Sequence, residues 1–176
     1  HWSAIQWLYL VENATMDSQT KTGQGRVSTS SAANVDAADV AQASYRGIVG
    51  LWGNVYQWMD GLKTVAGVVN LWDKNGNKTW VSTGQTPTNI NGYAYPTAFM
   101  SAYGAGYDMK DAFIASAGPT SNSAATAPDQ QYFGNAGEYF PVVGGGWDRA
   151  ADAGLWYVYC SLIMAGAHIG ARLAKV

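Results

Sequence analysis

The chain has one cysteine, Cys160, among 176 residues, so it holds no internal disulfide and no two-thiol chemistry. Charge is scarce as well. Only 12% of the residues are Asp, Glu, Lys or Arg, against roughly 25% in ordinary soluble domains. The formal net charge is -2, which offers no basic field for a polyanion and excludes nucleic acid as a partner. Histidine occurs twice, as His1 and His168, and no G-x-S-x-G elbow is present. A Ser-His-Asp hydrolase therefore lacks its local signature, and His168 reads as solvent-facing or ligand-facing. From Ala153 to Ala171 there is no Asp, Glu, Lys or Arg, a run long enough to cross a bilayer as a helix. Its glycines (Gly154, Gly166, Gly170) and its aromatic, β-favouring opening make a strand-loop-strand unit the better reading, with no membrane insertion. The start, His1-Trp2, carries no secretory signal and is expected to be the edge of a fragment.

What the chain has in quantity is apolar and aromatic surface: 48% hydrophobic residues, with 8 Trp and 11 Tyr. Such rings suit cores and contact surfaces alike, because each carries a large apolar body and a polar tip. The length suits one domain, and no repeat or linker divides residues 1–176. Ala4, Trp7, Leu8 and Val11 fall at helical spacing and predict an amphipathic helix against the core. Asp17 to Ala33 reads as a polar loop, and a second helix is expected from Asp36 or Asp39 to about Tyr45. Gly50 to Trp58 reads as a tight turn followed by an aromatic strand. Val68–Asp73 and Thr79–Ser82 should form a hairpin around Asn75-Gly76, bringing Trp72 near Trp80. Thr83 to Gln131 reads as long ordered loops around short aromatic islands, and Tyr139–Val143 and Ile169–Leu173 read as strands.

Few constellations carry chemistry. Asp108 with Asp111, and Asp148 with Asp152, are spaced as paired acids, though spacing alone leaves their environments open. Asp73 to Asn77 is a loose match to a calcium loop but lacks the required glycine position and distal Glu, so a hairpin turn is preferred. Gly144-Gly145-Gly146 does not fit a nucleotide-loop spacing, and its expected role is close approach of backbone to bulky neighbours.

Two segments are more specific. Gly53-Asn54-Val55-Tyr56-Gln57-Trp58 resembles the G-N-V-W-E-W motif of formylglycine-generating-enzyme-like domains, a branch of the C-type lectin fold. Gly144 to Trp147 and Gly170 to Ala174 resemble that family's G-G-S-W element and terminal G-F-R-L-A strand, in the same order. Ile5 to Glu12 looks like the first helix of phage tail-fibre members. The resemblance implies an α+β, C-type-lectin-like domain with a central antiparallel sheet, two helices and long ordered loops. Gly53-Asn54 and Gly170-Arg172 should both join that sheet, with the two termini close together. Catalytic members bind copper through a cysteine pair, so the lone Cys160 argues against a metal-dependent oxidase of this fold.

Non-catalytic members include the variable proteins of diversity-generating retroelements, in which adenines of the last coding stretch are rewritten. Gly144 to Leu173 looks like such a region, with residues 147–169 as the variable part. Rewritten AAY codons never yield Trp, Met, Lys, Glu or Gln, and no Lys, Glu or Gln occurs from Trp147 to Ala171. The resemblance thus implies a ligand-binding surface of Asp148, Arg149, Asp152, Trp156, Tyr157, Tyr159, Ser161, Leu162, Ile163, Met164, Gly166 and His168. Leu155 and Val158 read as core. No cofactor and no metal is expected. The implied partner is a host-surface protein or glycan, and the implied setting is a virion tail fibre or a cell surface, within a larger protein. An invariant structural virion domain is the other non-enzymatic reading.

Overall fold

The computed structural model describes residues 1–19, 43–122, 125–161 and 169–170. Among them the architecture is α+β, with one helix, α1 (Trp2–Asn13), and mostly short strands. In chain order these are β1 (Ser44–Tyr45), β2 (Ile48–Val49), β3 (Tyr56–Trp58), β4 (Leu62–Val65), β5 (Val68–Trp72), β6 (Trp80–Ser82) and β7 (Tyr93–Ala94). There follow β8 (Ala98–Phe99), β9 (Ala115–Ala117), β10 (Gln131–Phe133), β11 (Glu138–Tyr139), β12 (Val142–Val143), β13 (Val158–Cys160) and β14 (Ile169–Gly170).

Residues 2–13 contain no Gly or Pro, which permits the helix, and Ala14 ends it in the left-handed conformation (φ 51°). The face that α1 buries is not the one its periodicity predicts. Gln6 and Tyr9 are buried, with Trp2 and Ile5 half-buried beside them, whereas Ala4, Trp7, Leu8 and Val11 are exposed. Both stripes carry large apolar side chains, so hydropathy alone has no preference; the polar tips decide. Trp2 Nε1 and Gln6 Nε2 donate to the Leu155 carbonyl at 3.0 and 2.9 Å. Tyr9 packs edge-on against Trp156, with ring centroids 5.8 Å apart. Trp7 turns outward, and its indole donates to Asp111 at 2.9 Å.

The second expected helix is not found among the described residues. Residues 36–42 lie outside them, and at its expected end Ser44-Tyr45 is strand, paired with β2. Arg46 and Gly47 (φ 50° and 80°) close that hairpin, a turn whose twist suits strands rather than a helix.

A four-stranded antiparallel sheet has the order β11-β4-β5-β6. Its β5-β6 hairpin is the expected one: Trp72 pairs with Trp80, and their centroids lie 6.0 Å apart. The Asp73 carboxylate accepts from the Asn75 backbone N–H at 2.8 Å and from Asn77 at 3.2 Å, so it closes the turn itself.

A six-stranded sheet has the order β14-β3-β12-β13-β10-β7. It is mixed rather than antiparallel throughout, since β14 runs parallel to β3 and β13 parallel to β10. Gly170 pairs with Gln57 and Asn54 bridges Gly146, so the matched segments from distant parts of the chain meet in one place. Arg172 and the chain end lie outside the described residues. The strand expected over Tyr139–Val143 is split between the two sheets, because Pro141 offers no N–H to continue a ladder.

Leu62, Val69 and Leu71 of the four-stranded sheet meet Phe133, Val143, Val158 and Cys160 of the six-stranded one, which places the main core between the sheets. Each such side chain contributes about 1.5–3 kcal/mol when fully buried. A second cluster, Tyr9, Trp52, Phe113, Leu155 and Trp156, sits under α1. Gly144 and Gly145 hold positive φ (84° and 72°). A Cβ there would lie 2.7 Å from the Leu51 carbonyl and 2.8 Å from the Ala153 side chain, so both positions need glycine. No helix among the described residues is long and apolar enough to cross a membrane.

Candidate ligand-binding face

Residues paired directly across strands share a face of a sheet. Tyr93 pairs with Tyr132, Tyr132 with Tyr159, and Tyr159 with Val142. Their neighbours Ala94, Gln131, Val158 and Val143 therefore turn the other way, into the core. Gln131 is buried there, its amide spent on the Ala115 N–H and the Phe113 and Trp156 carbonyls.

The outer face thus carries a row of phenol rings. Tyr132 and Tyr159 stack at 5.0 Å with an 18° interplanar angle, and Tyr93 follows at 5.3 Å. Tyr93 is 41% exposed, while Tyr132 and Tyr159 are half-buried. Burial raises the pKa of Tyr159, and Ser161 is its hydrogen-bonding neighbour.

Beside the row, the chain turns after Gly146 and presents Asp148 and Arg149. Arg149 Nε donates to the Tyr56 hydroxyl and lies 3.5 Å from the Asp148 carboxylate. Tyr56 donates to Asp148 at 3.4 Å, and the Tyr157 hydroxyl reaches Tyr56 at 3.5 Å. Burial pushes both phenols up, so at neutral pH Tyr56 and Tyr157 remain protonated. The Asp148–Arg149 pair is 36% and 28% exposed. Such a pair adds at most about 1 kcal/mol of stability. Its value lies in the directional groups it leaves at the surface. Asp152 accepts from Tyr95 at 2.7 Å, and Tyr95 in turn accepts from Gln130 at 2.9 Å. That carboxylate ties the loop to the edge of the sheet.

The structure therefore gathers Asp148, Arg149, Tyr159 and Ser161 on or beside one face, with Asp152 at its margin. It corrects two expected contact residues. Trp156 and Tyr157 are fully buried. The Trp156 ring lies 6.3 Å from Phe113, and its backbone N–H donates to Asp129 at 2.8 Å. Tyr157 is packed against Tyr56, with centroids 5.7 Å apart. Both support the face from beneath. Leu162, Ile163, Met164, Gly166 and His168 lie outside the described residues. Leu155 and Val158 are core, as read from the sequence. Sequence reasoning missed Tyr56, Tyr93 and Tyr132; the alternation Gln131-Tyr132-Phe133 signals an outward Tyr132, but nothing local reveals which strand lies beside it.

Cys160 is buried, with its sulfur 3.5 Å from the Thr64 hydroxyl, and burial pushes its thiol up to about 11. It is a thiol, not a thiolate, at neutral pH. Among the described residues no three of His, Cys, Asp and Glu gather as a metal site.

A second concavity, about 610 Å³, lies at the end of β3 between α1 and the β5-β6 hairpin. Trp2, Trp58 and Trp72 line it, with Asp60 and Lys78. Trp58, the last residue of the aromatic strand read from Gly50 to Trp58, is 41% exposed here. Compared with models of known protein families and with curated proteins, the sequence has no match.

Proposed function

We propose that the chain is a non-catalytic display domain that binds a host-surface protein or glycan through its tyrosine face. The observation that carries this reading is the row Tyr93, Tyr132, Tyr159, open on the outer sheet face beside Asp148 and Arg149. Tyrosine offers rigid amphipathic contact area with little rotamer entropy to lose, and the Asp-Arg pair adds direction. Placing those groups on a hydrogen-bonded sheet lets them change without disturbing the core behind them.

The order of the segments at Gly53–Trp58, Gly144–Trp147 and Gly170–Ala174 supports a C-type-lectin-like variable protein of a diversity-generating retroelement, of the phage or viral tail-fibre type. On this reading the domain belongs to a larger virion or cell-surface protein. Among the described residues, Asp148, Arg149, Asp152, Tyr159 and Ser161 are the positions free to vary, while Trp156 and Tyr157 stay constant as core. The buried, protonated Cys160 speaks against an oxidase that uses a reactive thiol.

The test is to sequence this gene and its flanks across many isolates. Substitutions should concentrate in the codons for 148–152 and 159–168, beside a near-copy of the segment and a reverse-transcriptase gene. Variation spread evenly over the chain, or an invariant C-terminal segment, would favour a structural virion domain and refute the display reading.

A further inference from the structure

We infer that the tryptophan-lined groove at the end of β3 is a second binding site, for a zwitterion of the phosphocholine type: a quaternary ammonium with an anion a few bonds away. Trp58 shares the outer side of the sheet with the tyrosine row through Val142, but none of Tyr93, Tyr132 and Tyr159 lines the groove, and the inference does not depend on that row being variable. Trp58 borders two hollows, of about 610 and 390 Å³, and is 41% exposed. An indole left this exposed is costly in water and suits a ligand with apolar, weakly hydrated groups.

The hairpin next to it shows what such rings accept. Lys78 Nζ sits 5.4 Å from the Trp72 centroid, and Lys63 Nζ sits 4.5 Å from that of Trp80. Each of those tryptophans carries a cation from the chain itself. Trp58 carries none among the described residues, yet Asp60 lies in both hollows beside it. Among the described residues Asp60 accepts only the Gly61 N–H, at 2.8 Å, so a carboxylate oxygen remains for an incoming positive charge.

Ring faces and one carboxylate hold a quaternary ammonium better than a primary one, which needs hydrogen bonds to replace its hydration. Lys78 supplies the other half of the match. It lines the same groove and has no carboxylate partner among the described residues, which leaves its charge for an anionic group on the ligand. The groove's size falls within the usual range for small-molecule sites, about 300–1,000 Å³.

The experiment is a titration of the full chain with phosphocholine, followed by tryptophan fluorescence and calorimetry. Choline, phosphoethanolamine and 3,3-dimethylbutyl phosphate, the uncharged-carbon counterpart, serve as controls. Saturable binding of phosphocholine is expected, with each control weaker by about fivefold, the scale of one cation–π contact. Trp58→Ala and Asp60→Asn should each weaken it by about fivefold or more. Lys78→Gln should weaken phosphocholine but not choline. Both Trp58 and Asp60 are exposed, so these variants should fold, and an unchanged thermal melt confirms it. Retention on phosphatidylcholine vesicles would assign the group to a lipid; binding of free phosphocholine alone would assign it to a soluble or polymer-borne source. Equal binding of the uncharged-carbon analogue, or affinity unchanged in Trp58→Ala, overturns the inference.

Discussion

Raising the pH from about 5 to 8 should weaken this fold, and Asp129 is the reason. Its carboxyl is fully buried; Oδ2 accepts the Trp156 backbone N–H at 2.8 Å, and Oδ1 has no partner among the described residues. Burial, with the negative charges of Asp17 and Asp152 nearby, pushes its pKa up to about 8 from an ordinary 3.8. Between those limits the folded state holds a proton that the unfolded state has released. Stability therefore falls as pH rises, by about 1.4 kcal/mol per unit for one proton, and the slope vanishes above the folded value. The ceiling is roughly 6 kcal/mol, a large part of an ordinary domain's stability. Glu12, Asp73 and Asp108 have lowered values but lie at the surface, Glu12 exposed and the other two half-buried, and they act in a different window, losing their small contribution as pH falls below the ordinary carboxylate range. Asp129→Asn keeps an oxygen for Trp156 and buries an unpaired amide, at a cost of about 1–3 kcal/mol. Urea unfolding across this pH range should show wild type more stable at the acid end and the variant overtaking it by about pH 8. Parallel curves for the two proteins would mean that Asp129 is not the proton carrier.

The other expectations follow from burial. Trp156→Ala removes a fully buried ring between Tyr9 and Phe113 and should cost about 3–5 kcal/mol, whereas Asp148→Ala should stay within about 1 kcal/mol. Comparable denaturation midpoints for these two variants would place the boundary between core and face wrongly. Native Cys160 should resist iodoacetamide at about pH 8 and react once urea unfolds the chain, since burial keeps its thiol protonated. Rapid labelling of the folded protein would contradict that environment. Cys160→Ser should fold, with a loss of about 1–2 kcal/mol from burying a hydroxyl in the same space.

The parts of this fold that were legible in the sequence are those where local chemistry leaves no choice. Asn75-Gly76 between two β-forming runs specified a hairpin, and Trp72 met Trp80 across it. The glycines at 144 and 145 marked a close backbone approach, and Leu51 and Ala153 are what they approach. The failures came where two outcomes share one local signal. On α1, both Trp2-Ile5-Gln6-Tyr9 and Ala4-Trp7-Leu8-Val11 satisfy helical spacing. Burial went to the stripe whose polar tips find backbone partners inside, Trp2 and Gln6 on a single carbonyl and Tyr9 on the 17–18 backbone, while the Trp7 indole takes the exposed Asp111 side chain. Hydropathy weighs the apolar body of a side chain and overlooks that tip.

The same ambiguity governs the candidate face. From Trp156 to Cys160 every residue is apolar or aromatic, so alternation has no polar phase from which to read inside and outside. The phase comes instead from partners far along the chain. Asp129 and Gln131 hold the backbone at Trp156, which turns that indole under α1, and the ladder from β10 then places Val158 in the core and Tyr159 outside. Tyr157 shares the outer side with Tyr159 but falls under Tyr56, so a residue on that side is nevertheless buried. Strand phase alone does not define the exposed face. What defines it is which outward residue another ring covers, and at position 157 that ring is Tyr56, carried in by β3 from 101 residues earlier in the chain.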